Sequence, residues 1–266
     1  MLKQTIRTVA TAAVTAAALI SPGTAAMATT PTTPYVALGD SYAAGVGAPP
    51  YLDPTCLRST NGYPALLAAE RKVTDFRSNA CSGAVTADVI AGQLDGLDGR
   101  TKLVTITIGG NDLGFSTSIG TCMQGSDADC EAVSKAFQQG AVQTLPARLD
   151  AVYAAVKQRA PRATVITTGY AHFFETSVDC DAVPMVSLPK RTALNAAVDT
   201  LNRSIARQAS RAKSRFADVL PVFAGHGLCS DDPWITGPTD TAPFHPNAAG
   251  YREGYLPVVR KSLTCI

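Results

Sequence analysis

Apolar positions along the 266-residue chain fall into two kinds of run. Short, unbroken stretches rich in β-branched residues read as buried strands over 35–38, 103–108 and 164–168, with a weaker candidate at 74–79 and a last one within 216–223. Other stretches repeat an apolar residue every three or four positions. Leu149, Val152, Tyr153, Val156 and Ala160 mark one face of a helix that Pro161 ends, and Leu194, Val198, Leu201 and Ile205 mark a second. Residues 63–71 and 87–94 have helical composition. The stretch holding Cys122 and Cys130 shows no such period and is expected to be loop. His245-Pro246-Asn247 is expected to open a final helix running towards Leu263, since Pro just inside a helix start is an N-terminal signal. Strands alternating with helices predict an α/β domain, a parallel sheet with helices on both faces and no internal repeat or linker.

Composition adds one large core and a leader. With 46% hydrophobic and 17% charged residues, the chain suffices for one sizeable domain. Lys3 and Arg7 precede an apolar run over 8–20, then Ser21-Pro22-Gly23 and the A-x-A pattern Ala26-Met27-Ala28. This predicts a secretory signal peptide over 1–28 and a mature domain over 29–266, beginning with a loose Thr/Pro-rich segment. A retained anchor is the alternative, but the run is short for a membrane span and no other stretch qualifies, so no stable membrane anchor is expected. The whole chain carries 23 Lys+Arg against 21 Asp+Glu; without Lys3 and Arg7 the balance is 21 against 21. Nothing in it favours nucleic acid. Arg203, Arg207 and Arg211, with Lys213 and Arg215 beyond them, read as a solvated helix face.

Seven cysteines are present, and a secreted chain can keep disulfides. Nearest-neighbour pairing gives Cys56–Cys81, Cys122–Cys130 and Cys180–Cys229, leaving Cys265 over; sequence alone does not fix that connectivity. No C-x-x-C pair and no H-E-x-x-H suggests a metal site.

The candidate chemistry sits in three glycine-containing turns that follow three successive strand candidates, at Ser41, at Gly83 and at Asn111. In a parallel sheet such turns share one edge, where a reversal of strand order opens a crevice. Together they supply a hydroxyl, an approachable backbone N–H and a carboxamide, which are the needs of acyl transfer: a nucleophile, and N–H donors aimed at a developing oxyanion. A serine hydroxyl needs a base. Of His172, His226 and His245, the last is favoured because it enters a helix from a loop. The alternative for each histidine is a satisfied structural residue, and for Gly39-Asp40-Ser41 it is ordinary turn chemistry. No G-x-S-x-G elbow occurs, so the ordinary α/β-hydrolase pattern is excluded.

Gly39-Asp40-Ser41, Gly83, Gly110-Asn111-Asp112 and His245-Pro246-Asn247 resemble, in order and spacing, the four blocks of the GDSL/SGNH hydrolases. The likeness spans roughly residues 35 to 262, and the leader and cysteines are similar to those of the secreted actinobacterial GDSL lipases and esterases. The resemblance implies a single three-layer α/β/α domain on a five-stranded parallel sheet in flavodoxin-like order. It implies a Ser41 nucleophile, His245 as general base, and an oxyanion hole from Ser41, Gly83 and Asn111, acting on carboxylic esters without metal or organic cofactor. It also supports the neighbour pairing of Cys56, Cys81, Cys122, Cys130, Cys180 and Cys229, in which Cys265 has no place. Many members carry Asp three residues before the histidine; here that position is Ala242. Either Asp240 or a main-chain carbonyl of Ala242 or Pro243 must then orient His245. The carbonyl is favoured because Pro243 holds Ala242 extended and carries Asp240 away.

The expected activity is that of a secreted, monomeric lipase or esterase acting on a small-molecule or lipid ester. The alternatives are a carbohydrate deacetylase, a phospholipase A, or a catalytically silent secreted binding protein. Tyr42, Tyr170, Phe173 and Phe174 are either core or the wall of a shallow acyl cleft.

Overall fold

The computed structural model describes residues 34–264, apart from residue 182. The expected signal peptide, the segment at 29–33 and Cys265 lie outside the described residues. Five parallel strands, β1 (Tyr35–Gly39), β2 (Phe76–Ser78), β3 (Leu103–Thr107), β4 (Thr164–Thr168) and β5 (Arg215–Ala217), form one sheet in the order β2-β1-β3-β4-β5. Tyr35 lies beside Phe76 on one flank and Leu103 on the other, and Leu103 lies beside Thr164. Every residue of β1 and β3 is buried, as strands covered on both faces must be. The helices form the outer layers: α1 (Ser41–Ala44), α2 (Tyr63–Glu70), α3 (Thr86–Asp88), α4 (Phe115–Gln124), α5 (Asp127–Gln143), α6 (Leu145–Arg159), α7 (Leu188–Arg211), α8 (Leu220–Phe223) and α9 (Leu256–Thr264). None of them is long and apolar enough to cross a membrane.

The order reverses between β1 and β3, which opens the crevice of such sheets at the strands' carboxyl ends. Ser41 follows β1 there, and Asn111 follows β3.

The middle of the sheet is more polar than an apolar run suggests. Thr105, Thr107, Thr167 and Thr168 are fully buried, and each hydroxyl is paired. Tyr35 Oη meets Thr105 Oγ1 at 2.8 Å, Tyr63 Oη meets Thr107 Oγ1 at 3.0 Å, and Thr107 Oγ1 meets Thr168 Oγ1 at 2.5 Å. Tyr153 donates to Thr167 at 3.1 Å.

Four local expectations need correction. The Cys122–Cys130 stretch is not loop: it is the end of α4 and the start of α5. A capping box starts α5, with Ser126 Oγ accepting from the Asp129 N–H and Asp129 Oδ2 accepting from the Ser126 N–H. The buried face of α5 is Cys130, Ser134, Phe137 and Ala141, at helical spacing but mostly small or polar, so its period is invisible to hydropathy. The helix expected at 87–94 is the short α3 followed by a π-helical turn over Val89–Gln93. The last strand is only Arg215–Ala217, and α8 takes the rest. Pro246 does not sit inside the final helix but bridges to Ile235. Asn247 is the cap, its Oδ1 accepting from the Gly250 N–H at 3.0 Å, and a π-helical turn over Gly250–Tyr255 leads into α9.

Disulfides join Cys56 to Cys81, Cys122 to Cys130 and Cys180 to Cys229, the pairing of neighbours along the chain. Arg203, Arg207 and Arg211 are exposed on α7, as their helical spacing predicts.

Candidate active site

The turn that carries Ser41 begins with a close approach of two strands. Gly39 has φ +127°, and a Cβ there would stand 2.0 Å from the Thr107 carbonyl oxygen, so only glycine fits. Asp40 caps the turn, its Oδ1 accepting from the Tyr42 N–H at 3.0 Å. Ser41 is therefore the first residue of α1, whose N–H has no acceptor within the helix. The side-chain amide of Gln93 closes the end of β1, accepting from the Gly39 N–H at 2.7 Å and donating to its carbonyl at 2.9 Å. Gln93 is brought there by the π-helical turn, a feature common at functional sites.

Ser41 Oγ lies 2.8 Å from His245 Nε2, across 204 residues of sequence. The other ring nitrogen, Nδ1, is 2.8 Å from the Pro243 carbonyl, which can only accept. The proton must therefore be on Nδ1, leaving the Nε2 lone pair for the serine hydroxyl. Burial pushes the His245 pKa below the ordinary histidine value, against the opposing pull of hydrogen bonds to Pro243 and Ala242. Asp240, the other expected orienter, is exposed and accepts from the Gly237 N–H at 2.6 Å instead.

The loop before His245 is held tightly. Phe244 has φ +61°, a conformation costly for a side chain of that size and one that concentrates at functional sites. Its carbonyl accepts from Tyr42 Oη at 2.7 Å, which ties the histidine loop to the residue after Ser41. Thr236 Oγ1 accepts from the His245 N–H at 3.0 Å.

Gly83 and Asn111 meet through Ala84. Asn111 Nδ2 donates to the Ala84 carbonyl at 3.0 Å, which commits one amide N–H and leaves the other for a ligand. Gly83 is exposed, with φ +80° and nothing within 4 Å of the place a Cβ would occupy. Asp112 fixes the two turns together: its Oδ2 accepts from the Thr86 N–H at 2.9 Å and its Oδ1 from Thr86 Oγ1 at 2.5 Å.

The other two histidines are engaged elsewhere. His172 pairs with Asp199 at 2.7 Å. His226 stacks on Trp234 with ring centroids 3.6 Å apart and pairs with the Asp232 carbonyl at 2.9 Å. Among the described residues no group of three or more His, Cys, Asp or Glu side chains is placed to hold a metal. Tyr42, Tyr170, Phe173 and Phe174 are buried, so they are core rather than an open cleft wall. Behind Tyr170 and Phe173 a cavity of about 20 Å³, room for roughly one water, is lined by Phe115, Phe137, Leu194 and Leu201.

Sequence reasoning missed Gln93, Thr86 and Thr236, and it gave Asp112 no role. All are polar residues whose partners are distant in sequence or lie beyond a turn. The one available signal was a polar residue in an otherwise apolar stretch, as at Gln93.

The model of the GDSL-like Lipase/Acylhydrolase family matches residues 37–253. A lipase of Streptomyces rimosus is 47% identical over 236 residues, covering 86% of this chain and 87% of that one. Lipase 1 of Streptomyces coelicolor is 43% identical, covering 85% of each. Among solved structures, the extracellular lipase of Streptomyces rimosus superposes with a TM-score of 0.84 at 44% identity, over 87% of this chain and 100% of that one. The phospholipase A1 of Streptomyces albidoflavus gives 0.83 at 41% identity, with the same coverage.

Proposed function

The chain belongs to the GDSL-like Lipase/Acylhydrolase family, and on that premise we propose that it is a secreted serine ester hydrolase working through a Ser41–His245 dyad. As a carboxylic ester hydrolase it must deliver a nucleophile to an acyl carbon and hold the charge that moves onto the carbonyl oxygen. His245 Nε2 takes the Ser41 proton as Oγ bonds to that carbon. The oxyanion is met by the N–H groups of Ser41 and Gly83 and by the free N–H of the Asn111 amide. The imidazolium then returns the proton to the departing alcohol oxygen as the C–O bond breaks, leaving an acyl-Ser41 ester. Water enters, loses a proton to His245, and releases the acid by the same steps reversed.

The observation that carries this reading is the pair of bonds on one imidazole. Nδ1–H is committed to Pro243, so Nε2 faces Ser41 Oγ in the form that can accept its proton. The test is a serine-directed phosphonate followed by peptide mass spectrometry. Ser41 should carry the label, and Ser41→Ala should abolish both labelling and hydrolysis of p-nitrophenyl esters while leaving the fold intact. Label on another serine overturns the assignment.

The likeness to the Streptomyces albidoflavus phospholipase A1 supports a second reading of the same site, cleavage of a phospholipid acyl ester. A panel of p-nitrophenyl esters of rising chain length, with phosphatidylcholine alongside, separates the two. Secretion is supported by the A-x-A leader over 1–28, by three disulfides and by the extracellular relative, with 29–266 as the mature chain.

A further inference from the structure

Ser41 and Asn111 sit on turns that follow different strands, and the side-chain bonds described so far join Ser41 to His245 and Asn111 to the carbonyl of Ala84, the neighbour of Gly83. Beyond the sheet, whose last bond runs from the Asp40 N–H to the Thr107 carbonyl at 2.9 Å, a side-chain link between those two halves is made by Tyr170, from the loop after β4. Its hydroxyl donates to Asp40 Oδ2 and accepts from the Gly110 N–H at 3.1 Å. Asp40 immediately precedes the nucleophile, and Gly110 immediately precedes the amide donor. One oxygen atom thus links the two turns across the crevice.

Tyr170 is held for this task from both ends. Its backbone N–H donates to Asn202 Oδ1 at 2.8 Å, and its carbonyl accepts from Asn202 Nδ2 at 2.8 Å, so α7 fixes its main chain. Its ring meets the Tyr42 ring edge-on at 5.0 Å. Tyr170, Asp40 and Asn202 are all buried, at 4%, 1% and 4% exposure. Gly110 offers no side chain, so the ring passes close to the backbone: a Cβ there would lie 3.4 Å from Tyr170 Cζ. Burial pushes the Asp40 carboxyl up to about 7, against the opposing hydrogen bonds from Tyr170 and Tyr42, so the carboxylate depends on those few donors.

We propose that Tyr170 is a positioning residue of the oxyanion hole, its hydroxyl setting the separation of the Ser41 turn from the Asn111 amide. It touches neither substrate nor reacting atoms and acts through Gly110 and Asp40. The inference rests on the serine hydrolase reading above. Because donors must meet the oxyanion rather than the ground-state carbonyl, a shift of the Asn111 amide costs turnover more than substrate binding.

The test is a double-mutant cycle of Tyr170→Phe with Asn111→Ala, read in kcat and KM on one p-nitrophenyl ester, with melting temperature recorded for each protein. Asn111→Ala alone is expected to lower kcat on the order of 10²–10³-fold. Tyr170→Phe alone should lower kcat roughly ten- to a hundredfold with KM nearly unchanged, less than outright loss of a donor. In the Asn111→Ala background, Tyr170→Phe should cost little more, because the donor it positions is already gone. Losses that multiply, a change confined to KM, or wild-type kcat in Tyr170→Phe overturns the proposal. Should Tyr170→Phe fail to fold, Asp40→Asn takes its place in the cycle; it keeps the shape and an acceptor for the Tyr42 N–H while removing the charge that Tyr170 holds. Ser41→Ala is run alongside. Activity retained in Ser41→Ala sinks the hydrolase reading itself, whereas an inactive Ser41→Ala with additive Tyr170 and Asn111 effects sinks only the positioning role.

Discussion

His245 takes its orientation from a peptide carbonyl, and the consequences are readable residue by residue. Asp240 is turned towards the Gly237 N–H, so Asp240→Ala should keep kcat within about tenfold of wild type, roughly 1.4 kcal/mol of barrier. Removing a true triad carboxylate costs on the order of 10⁴-fold, the handicap seen in serine proteases. A loss of that size, with the fold intact, would show that Asp240 swings in during turnover. The pH profile bears on the same ring. A base must be neutral to accept a proton, so activity falls as pH drops through the His245 pKa. Burial holds that pKa below the ordinary histidine value, so the acid limb of kcat/KM should lie on the acid side of it. A limb near 7 would instead report the buried Asp40 carboxyl beneath the nucleophile.

At the scale of elements, the α4–α5 hairpin shows how a helix escapes hydropathy. The buried face of α5 is Cys130, Ser134, Phe137 and Ala141, three of them small, and Cys130 ties it to Cys122 of α4. Capping chemistry and a short disulfide define its corner where an apolar stripe does not. The three bridges close loops of very different length, with sequence separations of 8, 25 and 49 residues. Chain entropy then predicts that replacing Cys180 and Cys229 by serine destabilises more than replacing Cys122 and Cys130, by about 1.5 kcal/mol. Urea midpoints of the two double variants check this. The reverse order would mean that the short bridge holds the α4–α5 corner by geometry rather than by limiting the unfolded chain.

For the whole molecule, the buried Asp40 makes stability depend on pH. Its folded pKa is raised from 3.8 to about 7, so between those values the folded chain keeps a proton that the unfolded chain has released. Stability therefore falls as pH rises through that window, by on the order of a few kcal/mol. Asp40→Asn removes the titration, so its stability relative to wild type should improve from pH 4.5 to pH 8 in urea unfolding. A difference that does not change with pH would mean that the donors around Asp40 already match its charge. The same residue marks the boundary of what sequence can say. Strands β1, β3 and β4, the stripes of α6 and α7 and the Ser41, Asn111 and His245 blocks were legible, because each depends on local periodicity, turn chemistry or order along the chain; the cysteine pairing was one connectivity among several, favoured by the family resemblance. The weaker candidate at 74–79 also holds a strand, the short β2, whereas the α4–α5 hairpin and the π-helical turn at Gln93 were not legible. Their packing is carried by small or polar residues whose partners are set by the fold. Sequence also named Tyr42 and Tyr170 only as aromatics. That one hydroxyl reaches the Phe244 carbonyl, 202 residues away, and the other reaches Asp40, 130 residues away, was decided by the tertiary structure. A hydrogen bond needs both partners within about 3 Å and aligned, and no local pattern along the chain encodes that meeting.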